Sequence, residues 1–311
     1  MRVVVTGATG FVGAAVCREL LARGHEVRAA VRRMTSAEGL PGVQRVVVPD
    51  LAMDFDRRAL LAGIDVVVHL AAVAHRAVPE AEIRRVNVDA TARLAEAAGG
   101  LVRRFVFMSS VKVHGENSGD GAYTETGPMQ PQDAYARAKL EAERLLNQLA
   151  PRRGMELVLL RPPLVYGPGV RANFLNLLRW VDSGLPLPFA SVRNRRSLIY
   201  LGNLADAVAR CVEHPDASGP FLVSDDEIVS TPELVGRIAR ALGTPARLVR
   251  MPVGLLRLLG TISGRSGAVR RLTGNLVIDA ARSRRVLDWR PSATLDAGLA
   301  ETALWFRSKR A

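Results

Sequence analysis

Within its first two dozen residues the chain runs from an apolar β-branched segment, Arg2–Thr6, into Thr6-Gly7-Ala8-Thr9-Gly10-Phe11-Val12-Gly13 and on into an amphipathic stretch ending near Arg23. A strand that turns on glycine straight into a helix constrains the fold more than any other feature of this sequence. Gly7 lets the chain leave the strand sharply, Gly10 lets backbone N–H groups approach a pyrophosphate, and Gly13 lets the helix pack tightly on the sheet. The helix N-terminus adds partial positive charge for the phosphates. A glycine triplet alone is a weak signal, but its place between a strand and a helix makes it a specific mark of a dinucleotide-binding turn.

The same alternation continues. Strands are predicted at Arg2–Thr6, Glu26–Val31, Gln44–Val48, Asp65–His69, Arg104–Ser109 and Glu156–Leu160, with helices near Phe11–Arg23, Pro79–Ala98 and Gln132–Ala150. Nearly continuous apolar strands separated by helices predict an α/β fold, a doubly wound parallel sheet covered on both faces. After Arg161 the rhythm changes: proline and glycine crowd 162–169, a helix follows at Ala172–Asp182, and Gly184–Arg196 is irregular. Leu198–His214 reads as a strand and helix returning to the sheet, and shorter elements from Gly219 lead to an amphipathic helix near Leu295–Arg307. Residues 1–168 and 197–216 are therefore expected to form the dinucleotide-binding domain. Residues 169–196 and 217–311 are expected to form a smaller α/β substrate domain woven in at the C-terminal side, with the ligand cleft between the two.

Composition narrows the partners. With 48% hydrophobic and 23% charged residues the chain reads as an ordinary globular protein. The net charge of +13 raises nucleic-acid binding. Against it, Lys112, Lys139 and Lys309 are the only lysines among 43 basic residues, and the arginines are scattered without interleaved aromatics. A basic surface suits a small polyanion instead, and dinucleotides and nucleotide sugars are both polyanions. Met251–Ser263 is interrupted by Arg257 and too short to span a bilayer, so a packed helix is expected there. The first apolar run leads straight into the glycine loop, so no secretory leader is read. Cys17 and Cys211 lack ligand or disulfide spacing and read as small buried residues, which fits a cytoplasmic protein. No cluster of histidine, cysteine and carboxylate suggests a metal.

Several residues carry chemistry. Tyr135 and Lys139 stand i to i+4 on one helix face. A nearby ammonium is expected to pull the phenol below its usual value near 10 and make it an acid/base. The fifth strand ends in Ser109-Ser110, and Ser110, with Ser109 as the alternative, is placed to donate to a substrate oxygen. The end of the second strand lacks the carboxylate that would grip the ribose of NAD, and Arg32 follows instead, which favours NADP(H) while leaving NAD(H) open. Asp50, after the third strand, is placed either to meet an adenine amino group or to close a turn. His69 and His75 read as packing residues.

Taken together, these residues resemble an extended short-chain dehydrogenase/reductase of the NAD-dependent epimerase/dehydratase family. The resemblance rests on TGATGFVG (6–13), HLAA (69–72), RVNV (85–88), SSVKVHGE (109–116), YARAK (135–139), RPPLVYGPG (161–169), RSLIYLGNLADA (196–207) and SRRVLDWRP (283–291). It implies a Rossmann sheet and a catalytic set of Ser110, Tyr135 and Lys139. On the cofactor side it implies Gly7, Gly10, Phe11, Val12 and Gly13, then Leu51 beside Asp50. The Leu70, Ala71 and Ala72 wall, Asn87, Ser109, Pro162 and Pro163 complete that side. On the substrate side it implies Arg196 and Asn173 near a nucleotide diphosphate, Leu187 and Phe189 near the base, and His114 lining the pocket.

Two departures qualify the resemblance. The Thr-Asp-Glu of sugar dehydratases is replaced by Ser110-Val111-Lys112, which removes the acid and base that elimination needs. The missing ribose-binding carboxylate differs from UDP-galactose 4-epimerases. The wording is most similar to enzymes of O-antigen and capsule assembly, so the leading expectation is a reductase of a UDP-4-keto-6-deoxy-N-acetylhexosamine. A UDP-hexose or UDP-N-acetylhexosamine 4-epimerase with bound NAD is the alternative. A non-catalytic NADP-binding regulator would not need both Tyr135 and Lys139. Alanine-rich faces at Ala90–Ala98 and Ala136–Leu149 would allow a homodimer.

Overall fold

The computed structural model describes residues 1–34, 39–74 and 78–309, and His75 lies outside them. The first half is β1 (Arg2–Thr6), α1 (Phe11–Ala22), β2 (Glu26–Val31), β3 (Gln44–Val47), α2 (Arg57–Leu61), β4 (Val66–His69) and α3 (Glu80–Arg84). A π-helical turn (Arg85–Asp89) joins α3 to α4 (Ala90–Ala98), and β5 (Arg104–Met108) leads through a 3-10 turn (Val111–Val113) to α5 (Ala134–Arg152). There follow β6 (Glu156–Arg161), β7 (Leu164–Tyr166), α6 (Ala172–Asp182), β8 (Arg196–Tyr200), α7 (Leu201–Glu213), β9 (Gly219–Leu222) and β10 (Ile228–Val229). Five helices close the chain: α8 (Thr231–Leu242), α9 (Val253–Ile262), α10 (Ser266–Thr273), α11 (Ala281–Val286) and α12 (Leu295–Ser308).

Seven strands form one parallel sheet in the order β3-β2-β1-β4-β5-β6-β9. The winding reverses between β1 and β4, which opens a crevice at the carboxyl ends of those strands. Alternate residues of β1 serve opposite layers. Val3 and Val5 pack with Val16, Cys17 and Leu20 of α1, while Val4 packs with Leu94 of α4 and Leu146 of α5. Burial on both faces is why these strands are runs of valine. Both cysteines are buried in the first of these layers.

The second half departs from the expected boundaries. β8 does not return to the large sheet; it is the middle strand of a small one, β10-β8-β7, parallel to β7 and antiparallel to β10. The helix after it does return, since α7 packs against α1. β9, expected beyond the 216/217 boundary in the substrate domain, is instead the edge strand of the large sheet, paired with β6. Arg104 of β5 is fully buried and donates to the carbonyls of Cys211, Val212 and His214, so the sheet caps the C-terminus of α7. In α4 and α5, Ala90, Ala95, Ala98, Ala138 and Ala142 are already buried within the chain, leaving less of the alanine faces for a partner.

Candidate active site

The turn after β1 has the geometry its glycines require. Gly7 has φ +68°, and a Cβ there would stand 2.8 Å from the Ala71 nitrogen. A Cβ on Gly13 would stand 2.1 Å from the Gly7 carbonyl oxygen, so α1 can start here only on glycine. The Gly10 N–H closes the turn on the Gly7 oxygen at 2.9 Å. Phe11 and Val12 are half-buried at the start of α1, and the Phe11 ring approaches Gly169 from the far side of the loop.

The facing wall is fixed by a directed chain of hydrogen bonds. The Ala71 N–H donates to Thr6 Oγ1 (3.4 Å), and that hydroxyl donates to His69 Nδ1 (2.7 Å). His69 Nε2–H then donates to Thr91 Oγ1 (2.9 Å), which donates to the Asn87 carbonyl (2.9 Å). Burial, with the Lys139 charge nearby, pulls the His69 imidazole down to about 3, so it stays neutral and in this one tautomer. Asn87, wholly buried in the π-helical turn, accepts from the Val73 N–H at 2.8 Å and donates back to its carbonyl at 3.0 Å. Leu70 and Ala71 are half-buried and Ala72 exposed, which leaves this wall open to the crevice.

At the end of β5 the two serines divide. Ser109 is buried, its N–H donating to the Leu160 carbonyl at 2.7 Å, and its Oγ has no hydrogen-bond partner. Ser110 is half-buried, and its Oγ accepts the Lys112 N–H at 3.2 Å, capping the 3-10 turn. That turn packs against α5 and is fastened from behind by the buried Pro162, whose carbonyl accepts the Val111 N–H. Pro163 is buried beside it.

Tyr135 and Lys139 occupy successive turns of α5, whose start is capped by Asp133 accepting the Ala136 N–H at 2.7 Å. Lys139 is buried, with Nζ donating to the Met108 carbonyl at 2.7 Å and lying 4.4 Å over the Phe107 ring. Burial pulls this ammonium down to about 7, against the opposing pull of Glu143. The Tyr135 phenol is pushed above its ordinary value, first by burial and then by the Asp133 charge. The expected lowering of the phenol is therefore not present in the ligand-free chain, because desolvation outweighs a lysine that is itself close to neutral.

Residues missed in the sequence surround this pair. Lys112 Nζ bridges Glu116 (3.1 Å) and Asp133 (2.6 Å). Its i to i+4 spacing to Glu116 was a readable signal; the link to Asp133 was not. Behind them Arg161 forms a buried two-point pair with Glu143 at 2.9 and 2.6 Å. Its Nη1 also donates to His114 Nε2 at 3.1 Å, while His114 Nδ1–H donates to the Pro128 carbonyl at 3.0 Å. With both nitrogens engaged and its ring stacked on Tyr123, His114 belongs to the buried network beneath the pocket and not to its lining.

The remaining expected positions are scattered. Arg196 of β8 is buried and donates to the Arg271 and Gly274 carbonyls; burial and the Arg271 charge pull its guanidinium down to about 10. Asn173 is exposed at the start of α6, after Ala172 with its unusual φ of +52°. Leu187 and Phe189 are buried in the main apolar core. Arg32 is exposed after β2, and Leu51 is half-buried. Asp50 closes a turn, accepting the Ala52 N–H at 2.9 Å, and also meets Arg85 at 3.3 Å.

Glycine at Gly7 and Gly13 lets the turn close on its own backbone and against Ala71, bringing the start of α1 to the end of β1, and the partnerless Ser109 hydroxyl stands at the end of β5. These features fit a dinucleotide laid across the crevice with its reactive end toward Tyr135. A separate cavity of about 560 Å³ between α1, α7 and α12 is lined by Phe11, Tyr200 and Trp305 but by none of Ser110, Tyr135 or Lys139.

Known proteins resemble this chain along almost its whole length. The NAD dependent epimerase/dehydratase family model matches residues 3–223. A UDP-glucose 4-epimerase of Vibrio cholerae is 40% identical, covering 98% of this chain and 95% of that protein. A UDP-glucose 4-epimerase of Mycolicibacterium smegmatis is 32% identical, with 99% of each covered. Among solved structures, MoeE5 in complex with UDP-glucose and NAD superposes with a TM-score of 0.80 at 28% identity over the full length of both chains. The chain therefore belongs to the NAD-dependent epimerase/dehydratase family, enzymes of the short-chain dehydrogenase/reductase type.

Proposed function

We propose that this chain is a UDP-hexose 4-epimerase that works with bound NAD. The observation that carries the proposal is the 40% identity to the Vibrio cholerae UDP-glucose 4-epimerase along almost the whole of both chains. This support favours the epimerase over the expected keto-sugar reductase. For the cofactor, MoeE5 holds NAD, and the expected preference for NADP rests on the missing carboxylate at the end of β2 and on the exposed Arg32.

A nicotinamide bound along the glycine loop would supply the taking and returning of hydride at sugar C4. Tyr135 Oη, ionised to the phenolate, takes the proton of the C4 hydroxyl and returns it once the sugar has turned its other face. Ser110 Oγ holds the C4 oxygen in line with that phenol. Lys139, anchored on Met108, keeps the phenol and the end of β5 in fixed relation. Arg196 and Arg271 place positive charge for a nucleotide diphosphate.

The protein should release NAD on denaturation and interconvert UDP-glucose and UDP-galactose, or their N-acetyl counterparts, with no added cofactor. Consumption of NADPH with a UDP-4-keto-6-deoxy sugar, and no epimer from the hexoses, would return the reading to a reductase.

A further inference from the structure

From Leu234 to Ile278 the chain contains eight arginines and no carboxylate. The middle of this stretch is the α9–α10 hairpin. α9 buries Leu256 and Gly260, and a Cβ on Gly260 would meet Val269 Cγ2 at 2.6 Å, so glycine sets how closely the two helices pack. On its other side Leu255, Leu258, Leu259 and Ile262 are 43, 56, 47 and 74% exposed. At 3.6 residues per turn these four fall within one arc of about 100°. On the same helix Thr261 lies about 60° beyond that arc and Arg257 about 100° beyond it. With Ser266 and Arg270 of α10 they line a groove of about 360 Å³.

Among the described residues Arg250, Arg257, Arg265 and Arg270 form no ion pair; Arg271 alone of the hairpin's arginines reaches a carboxylate, Glu116 at 3.9 Å. Exposed leucine and isoleucine side chains in one arc, with unpaired guanidiniums elsewhere on the same hairpin, match a helix lying in a membrane interface. Its apolar side chains enter the acyl boundary while the arginines meet lipid phosphates. A symmetric second copy is a poor occupant, since it would bring the same arginines against these. Neither helix could cross a bilayer, and no helix among the described residues is long and apolar enough to do so.

We propose that the α9–α10 hairpin docks the protein on an anionic lipid surface, with Leu255, Leu258, Leu259 and Ile262 inserted and Arg257, Arg265 and Arg270 on the phosphates. The full chain should cosediment with vesicles of phosphatidylcholine mixed with phosphatidylglycerol, weaken as salt rises, and stay in solution with phosphatidylcholine alone. Leu258→Glu with Ile262→Glu should abolish cosedimentation while sugar-nucleotide turnover in solution is retained. Arg257→Gln and Arg270→Gln should each lower partitioning about fivefold, which tests the proposal even where the double glutamate variant fails to fold. Absence of cosedimentation with phosphatidylglycerol would overturn it, as would vesicle binding indifferent to both sets of substitutions. So would a change in sedimentation-derived mass of the leucine variant with vesicle binding intact, which would assign the face to a protein partner.

Discussion

Lys139 Nζ lies 2.7 Å from the Met108 carbonyl oxygen and 5.9 Å from the centre of the Tyr135 ring, so the lysine is bonded to the strand that carries the serines and not to its tyrosine. Its burial has a thermodynamic consequence. The folded chain holds this amine near 7, whereas the unfolded chain holds it near 10.5. Between those values the unfolded state binds a proton that the folded state does not, so this group makes stability rise with pH across that window. Below pH 7 its full cost is present. Lys139→Met should remove activity yet stabilise the ligand-free protein at pH 7. The difference from wild type should shrink toward pH 10 by at most about 1.4 kcal/mol per pH unit. Urea unfolding of both proteins at several pH values checks this, and a difference independent of pH would refute it.

The two serines separate by their partners. Ser110→Ala removes the group placed to hold the substrate oxygen and should cost roughly 10²–10³ in kcat. Ser109→Ala removes a buried hydroxyl that has no partner, so the ligand-free protein should keep or slightly gain stability. Steady-state kinetics on both variants, with thermal unfolding, distinguish the roles. Equal loss of kcat in the two would mean the end of β5 is oriented otherwise.

Tyr135→Phe keeps the ring that packs over Lys139 and deletes only the oxygen. Turnover should fall by about 10²–10⁴ or more, with NAD retained through purification. Enzymatic assay of the NAD released on denaturation, together with assay of both epimers, would show it. Turnover within tenfold of wild type would remove Tyr135 from the chemistry.

How much of this was legible in the sequence follows from where each signal is stored. β1 and β4 were readable because strands buried on both faces must be runs such as Val3–Val5 and Val66–Val68. β9 was expected only among the shorter elements after Gly219, and nothing in its sequence assigns it to the edge of the large sheet, where its Pro220 is tolerated because an edge strand leaves one side unpaired. β8 is buried along its whole length like the central large-sheet strands, and only its pairing with β7 and β10 assigns it elsewhere. At the site, the i to i+4 spacing located Tyr135 and Lys139 but could not reveal that a backbone carbonyl takes the ammonium. His114 was misplaced for a similar reason: Arg161, which engages its Nε2, is 47 residues away.

The Glu143–Arg161 pair should be costly to break. Both side chains are 2% exposed, so Glu143→Gln leaves a buried guanidinium without its carboxylate and should destabilise by roughly 3–5 kcal/mol. It also deletes the charge that holds the Lys139 ammonium up, so the lysine should sit further below 7. Chemical denaturation measures the first effect. A loss under about 1 kcal/mol would mean the pair is open to water in solution.

The Lys112–Asp133–Tyr135 arrangement predicts a shift in the pH profile. Asp133 raises the phenol, and Lys112, 2.6 Å from that carboxylate, offsets its charge. Lys112→Met should therefore push the phenol further up and move the rising limb of kcat/KM to higher pH. Asp133→Ser keeps a capping oxygen for α5 while deleting the charge, so it should move that limb to lower pH with stability changed by only a few tenths of a kcal/mol. Each shift should stay under about one pH unit, because both groups are partly open to solvent. The opposite signs are the informative part. A purely structural role for the ion pair would lower kcat in both variants without moving the limb in either, and a shift in the same direction for both would exclude electrostatic control of Tyr135 by this pair.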